Sequence, residues 1–239
     1  MDKKRVILSV DTSTPVVSLA LLVDDGQPNN NNVITTKKWR IESSVAEELL
    51  LNLDLFLDKS NLLTDQITGL VVVAGPGRYA ALRVGIATVQ GIGLGLDIPI
   101  APVSRLLADS WDVLERRQST NAVTVIHDAG STGIVWQSFK RQGAGLISSL
   151  NLPQVNAHSD IAQIIPPQAL LTGDLTDSVS QSFSGERLSM DRFFREDEDT
   201  VRALSALKCA ESDPSVYLAA GLVDAIYVRP PHITKPTGT

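Results

Sequence analysis

Three short turns hold the residues best suited to chemistry. The first is Asp11-Thr12-Ser13, which follows the β-branched run Val6 to Val10. A tight turn after a strand can offer backbone N–H groups and hydroxyls to a phosphate, while its aspartate holds Mg²⁺ or a water. The same aspartate can instead cap the hairpin with its own side chain. The second turn is Gly75-Pro76-Gly77, which leads from an apolar run into a long apolar segment. Glycines at a helix N-terminus let an anion reach the backbone. No Gly-Lys-Ser/Thr follows, so this is not a Walker A loop, and a plain tight connection serves equally well. The third is Asp128, at the end of the strand-like run Ala122 to His127 and before Ala129-Gly130-Ser131-Thr132-Gly133.

Other chemistry finds little support. His127, His158 and His232 show no i, i+4 pair, so no local metal pair is predicted. Cys209 is the single cysteine and reads as a buried apolar residue. No Gly-x-Ser-x-Gly elbow anchors a hydrolase triad. The reading therefore predicts no catalytic residue, no metal ligand and no cofactor. ATP or ADP with Mg²⁺ would bind only weakly or at an interface with a partner. Phosphate-type turns without an acid, base or nucleophile describe an ATPase-like fold that has lost its chemistry.

The elements that must position these turns follow from periodicity. Val6 to Val10, Val16 to Val23 and Val33 to Ile41 form a meander, with a loop tip at Asp24 to Asn32. Ser44 and Glu47 have capping-box spacing, which starts a helix from Val45 to about Lys59. That helix is apolar around most of its circumference, so it is covered by its own core and by something else. Gly69 to Ala74 is a buried strand. Ala80 to Leu96 is a second all-round apolar helix, whose glycines 85, 91, 93 and 95 imply close backbone approach by a neighbour. Arg83, within it, pairs across an interface, caps a loop or makes a structural ion pair. Asp97 to Val103 is a strand, and Ser104 caps a helix toward Arg116.

The pattern then restarts. Ile7-Leu8-Ser9-Val10-Asp11 and Thr124-Val125-Ile126-His127-Asp128 are each strand, aspartate, small-residue turn and strand, which suggests a duplicated α/β domain. Farther on, Ile134 to Lys140 and Ala169 to Thr172 read as strands. Gln181 to Asp199 reads as an irregular excursion, Val201 to Cys209 as a helix, and Asp213-Pro214 as the start of another helix running to about Ile226.

The chain has 239 residues, 43% hydrophobic and 20% charged, with a net charge of -6. That composition supports a sizeable core, and the acidic balance disfavours nucleic acid as a stand-alone ligand. The lone cysteine excludes an internal disulfide, and the longest apolar stretch falls short of the ~20 residues a membrane span needs. The cytoplasm is the expected compartment, with no membrane partner.

Several segments resemble the TsaB (also called YeaZ) family. They are Leu8 to Thr14, Ala46-Glu47-Glu48-Leu49-Leu50, Val73 to Gly77 with Leu82-Arg83-Val84-Gly85-Ile86-Ala87, Gly91 to Ile100, and Val103-Ser104. Asp128-Ala129, Gly173-Asp174 and Tyr227-Val228-Arg229 extend the likeness more thinly. Val45 stands at the family's histidine position, and Arg78-Tyr79-Ala80-Ala81 replaces its Ser-Phe-Thr-Gly.

The resemblance implies a duplicated actin-like (ribonuclease H-like) α/β fold, with two lobes that each carry a mixed sheet and flanking helices. We expect an N-terminal lobe over 1–107, a C-terminal lobe over 108–231 and a loose tail over 232–239. It further implies a non-catalytic subunit in the transfer of threonylcarbamoyl to the tRNA adenosine beside the anticodon. Its partners would be a TsaD-like catalytic subunit, a TsaE-like ATPase, a second copy when alone, and tRNA only through the complex. Val45, Glu47, Leu50, Leu53, Phe56, Leu57 and Arg83 are the expected partner-binding residues, with apolar surface exposed around Leu50, Leu53, Phe56 and Leu57. Asp11, Thr12, Ser13, Gly75, Gly77 and Asp128 would be vestigial nucleotide or phosphate contacts. The competing reading is an ATP-dependent small-molecule kinase or phosphatase, with Asp11 and Asp128 facing a cleft and holding Mg²⁺. A metallopeptidase is the weakest reading, since zinc ligands are missing.

Overall fold

The computed structural model describes residues 4–26, 32–143, 146–166, 168–183, 192–194, 200–226 and 228. The tip of the asparagine-rich loop, most of the charged stretch from 187 to 202 and the tail over 232–239 lie outside the described residues. The strands are β1 (Arg5–Asp11), β2 (Val16–Asp24), β3 (Val33–Arg40), β4 (Gly69–Gly75), β5 (Ile100–Ser104), β6 (Ala122–Asp128), β7 (Ile134–Gln142), β8 (Leu146–Ser149), β9 (Gln154–Asn156), β10 (Leu171–Gly173) and β11 (Phe193–Phe194). The helices are α1 (Val45–Lys59), α2 (Tyr79–Leu96), α3 (Arg105–Arg116), α4 (Ile161–Ile164), α5 (Asp177–Ser182) and α6 (Arg202–Ser212).

The first sheet runs β3-β2-β1-β4-β5, and the second runs β11-β10-β6-β7-β8 with β9 also on β7. In each sheet an antiparallel hairpin (β1 with β2, β6 with β7) joins parallel neighbours on its other side (β4 and β5, β10 and β11). The duplicated α/β fold with two mixed sheets is therefore present. The repeat was legible because each copy opens with an apolar run that ends in aspartate.

Both faces of the first sheet are covered, so β1 and β4 are continuous apolar runs rather than alternating ones. Leu8, Val10, Leu19 and Val72 pack under Leu49, Leu53 and Phe56 of α1 and Ile86 and Val89 of α2. On the opposite face, Ile7, Ala20, Val71 and Ala101 meet Ala108 of α3 and Ala203, Ala206, Leu207 and Ala210 of α6. Small residues on α6 let it lie close to the sheet. Leu106, Val113 and Leu114 of α3 also pack on Val123, Val125 and Phe139 of the second sheet. Ile161, Ile165, Val179 and Phe183, from the α4 and α5 regions, cover that sheet's other face against Ile126 and Ile134.

The boundary expected between 107 and 108 meets a helix that packs on both sheets. The cut falls within α3, which serves both sheets, and residues 202–226 return to the first sheet. Ile226 N donates to Ala74 O at 2.7 Å, and Gln90 Nε2 donates to Val223 O at 2.7 Å. The helix expected from Asp213 to Ile226 is also absent. Two 3-10 turns, Pro214–Val216 and Ala220–Leu222, stand in its place. Between them Leu218 exchanges backbone hydrogen bonds with Ile100, at 2.8 and 2.9 Å. The open edge of β5 competes for those backbone groups and wins over helix propagation.

Candidate functional site: an outer helix face and an interlobe cleft

The outer helix face is set by the start of α1. Ser44 Oγ accepts from Glu47 N at 3.5 Å, as expected for a cap. The arm that reaches back belongs to Glu48, not Glu47. Its Oε1 accepts from Glu42 N at 3.0 Å and Ser43 N at 2.7 Å. These bonds, Ser43 first, hold the Glu48 carboxyl below its usual range. The cap fixes where the helix starts, and packing of Leu49, Leu53, Phe56 and Leu57 on the first sheet decides which leucines face outward.

Leu49, Leu53, Phe56 and Leu57 face the core, whereas Leu50, Leu51 and Leu55 are 57%, 60% and 44% exposed. The expected exposure of Leu53, Phe56 and Leu57 is thus corrected. The 3.6-residue period places them on the same inward stripe as Leu49. Glu47 is exposed and Val45 half-buried in the first turn.

Helix α2 lies beside α1. Its outward positions include Ala80, Arg83, Ala87, Gly91, Leu94 and Gly95. The Arg83 guanidinium carbon sits 5.6 Å from the centre of the Tyr79 ring. The interior glycines divide into two kinds. A Cβ at Gly85 would fall 2.3 Å from Thr12 Oγ1, and one at Gly93 would fall 2.9 Å from Ile100 Cδ1. Those two record close approach inside the chain. Gly91 and Gly95 have nothing within 4 Å of that point.

The two N-lobe turns pack on each other. Thr12 Oγ1 donates to Ala81 O at 2.7 Å, and Arg78 N donates to Ser13 O at 3.2 Å. A Cβ at Gly77 would meet Ser13 O at 2.5 Å, and Gly75 adopts φ +121° against Ile226 O. Gly77 is required by the contact with Ser13, and Gly75 by its positive φ and its approach to Ile226. Asp11, Thr12 and Ser13 are essentially fully buried. Asp11 Oδ1 accepts from Ser13 N at 2.8 Å, which is the self-capping alternative.

Asp128 sits in a separate cluster. Its Oδ2 accepts from Thr176 Oγ1 at 2.5 Å and Ser178 Oγ at 2.6 Å, and its Oδ1 from Gly130 N at 2.9 Å. Burial pushes this carboxyl up, but the Ser178, Thr176 and Gly130 hydrogen bonds outweigh it and leave the group below its usual range.

Between the lobes lies an open pocket of about 570 Å³, lined by Asp11, Lys38, Arg40, Arg105, Asp174 and Arg202 among others. The residues at the carboxyl ends of β1, β5 and β10 (Asp11, Arg105 and Asp174) line it, where open α/β sheets usually place their sites. Arg105, Asp109, His127 and Arg202 were not singled out from sequence. The available signal was the i, i+4 spacing of Arg105 and Asp109 on α3. Among the described residues no group of three or more His, Cys, Asp or Glu side chains could hold a metal ion.

A family model for TsaD, tRNA N6-adenosine threonylcarbamoyltransferase, matches residues 42–207. The chain belongs to this family. The tRNA threonylcarbamoyladenosine biosynthesis protein TsaB of Haemophilus influenzae is 31% identical over 120 residues, which cover 50% of this chain and 48% of that protein. The Escherichia coli TsaB is 28% identical over 140 residues, 59% of this chain and 57% of that one. A tRNA N6-adenosine threonylcarbamoyltransferase of Tropheryma whipplei is 28% identical over 119 residues, 50% of this chain and 29% of that one. The chain thus spans about half or less of the length of these relatives. YeaZ from Pseudomonas aeruginosa shares the fold, with a TM-score of 0.73 at 22% identity, covering 94% of this chain and 100% of that one.

Proposed function

We propose that this chain is the non-catalytic partner subunit of a tRNA threonylcarbamoyladenosine assembly, paired with a TsaD-like catalytic subunit. The observation that carries the reading is the outer face of α1 and α2. Leu50, Leu51 and Leu55 stand in solvent next to a face of α2 built from Ala80, Ala87, Gly91 and Gly95. Exposed leucines beside a surface that a second backbone can approach closely suit a helix-on-helix interface. Relatives named TsaB and TsaD support the choice of partner.

Within this reading the chain self-associates through the same face when alone, and a TsaE-like ATPase joins the assembly. It meets tRNA only as part of the complex, in the cytoplasm. It needs no cofactor of its own, because the Thr12 hydroxyl and the Ser13 backbone N–H and carbonyl are taken up by bonds within the chain. The test is reconstitution of tRNA modification with the TsaD-like protein of the same organism, read by mass spectrometry of the nucleosides. Modification is expected to require this chain and to fail with Leu50→Asp. Full modification without the chain, or with the variant, overturns the reading.

A further inference from the structure

A line of six ionisable side chains crosses the molecule between its two sheets. Asp11 ends β1, Arg105 and Asp109 belong to the start of α3, and Arg202 opens α6. His127 lies near the end of β6, and Asp174 directly follows β10. Arg202 reaches Asp11 Oδ2 at 3.3 Å through Nη1 and Asp109 Oδ1 at 2.5 Å through Nε. Arg105 Nε lies 3.4 Å from Asp109 Oδ2, so Asp109 gives one oxygen to each arginine. Arg105 Nη2 then crosses to Asp174 Oδ1 at 2.5 Å, and Asp174 Oδ2 stands 2.5 Å from His127 Nδ1. The side chains of Asp11, Arg105, Asp109 and Arg202 are 0%, 4%, 3% and 6% exposed.

We propose that this chain of ion pairs is an interlobe lock, with Arg105 as the piece that crosses between the lobes. The guanidinium groups of Arg202 and Arg105 neutralise the carboxylates at the ends of β1 and β10 from within. The angle between the lobes is therefore set by the chain's own side chains.

The physical reason is the cost of uncompensated buried charge. Swinging the second sheet away would part Arg105 from Asp174 and His127. Arg105 would keep only Asp109, whose charge is already shared with Arg202. Taking the partner from a buried charge such as Arg105 is unfavourable even where the intact pair gains little, although Asp174 at its other end is 25% exposed. Each sheet has its own apolar core, so opening the cleft requires breaking this junction and the α3 contacts rather than unfolding a lobe. The consequence is a rigid subunit, unlike a pair of lobes that opens and closes around a ligand. This holds whatever partner the α1–α2 face binds.

The test is amide hydrogen exchange on the full chain, comparing wild type with Asp174→Asn and with Arg105→Lys. The lysine keeps the charge but loses the two-pronged reach of the guanidinium. Amides of residues 127–133, of residues 174–179 and of the first turn of α3 are expected to exchange roughly tenfold faster or more in both variants. Amides in the middle of β1 and β4 are expected to keep their wild-type rates. Unchanged rates at the junction overturn the lock. So does uniform acceleration across both sheets, which reports ordinary loss of stability. Failure of both variants to fold also counts against it, because a lock between lobes leaves each core intact.

Discussion

Gly91→Ala tests whether the outer face of α2 is free in the isolated chain. Nothing in the chain lies within 4 Å of a Cβ placed at Gly91. Alanine at an exposed helix interior is favoured over glycine by about 1 kcal/mol. For a domain of this size that raises the thermal midpoint by about 2–4 °C. Gly85→Ala has the opposite sign, although it sits in the same helix. Its Cβ would fall 2.3 Å from Thr12 Oγ1, and that hydroxyl is tied to Ala81 O at 2.7 Å. Thr12 is fully buried and can move only by giving up the bond. Overpacking of this kind costs about 1–3 kcal/mol, enough to outweigh the gain in helix propensity. The assay is urea unfolding at low protein concentration, followed by far-ultraviolet circular dichroism. A Gly91→Ala variant that unfolds no later than wild type, or a Gly85→Ala variant that unfolds later, would contradict this packing.

Further outcomes follow from individual groups. Glu48→Ala is expected to lower the unfolding midpoint more than Glu47→Ala, because Glu48 holds the backbone N–H groups before α1; equal effects would restore the simple capping box. Burial opposes ionisation of Asp174, but Arg105 and His127 prevail and hold its carboxyl well below the usual carboxylate range. The folded chain therefore refuses a proton that the unfolded chain accepts, so this contribution is whole above about pH 4 and drains away as pH falls. Asp174→Asn should show a shallower loss of stability than wild type between about pH 4 and pH 2, measured by urea midpoints; parallel profiles would argue against the pair. Burial pushes the Cys209 thiol far up, so it should resist a thiol-specific disulfide reagent at mildly alkaline pH until urea unfolds the chain. Rapid labelling of the native protein would contradict its place on the buried side of α6.

Much of the fold was legible because local and global signals agree. Strand β4 and helix α1 came out within a residue of their ends, since Ser44 caps and the apolar run of β4 has no competing period. The duplication was visible in two aspartate-ended strands. The outward stripe of α1 was misjudged because leucines ring the helix, and only the core reveals which side each one serves. Residues 213–226 read as helical by their own sequence, yet the edge of β5 captures Leu218. No local pattern announces such a pairing. The ion-pair chain was hidden for the same reason: Asp11 and Arg202 meet only through the tertiary fold. The turns around Asp11 and Gly75 were visible as turns, but not as partners that fill each other's space.

On the proposed reading, the outer face of α1 and α2 binds a related chain. The most direct measurement is mass by light scattering, for the chain alone and mixed with the TsaD-like protein of the same organism. A one-to-one complex is expected, and Leu50→Asp should abolish it while leaving the circular dichroism spectrum unchanged. A chain that stays apart from that protein, or a Leu50→Asp variant that still pairs with it, would contradict the account.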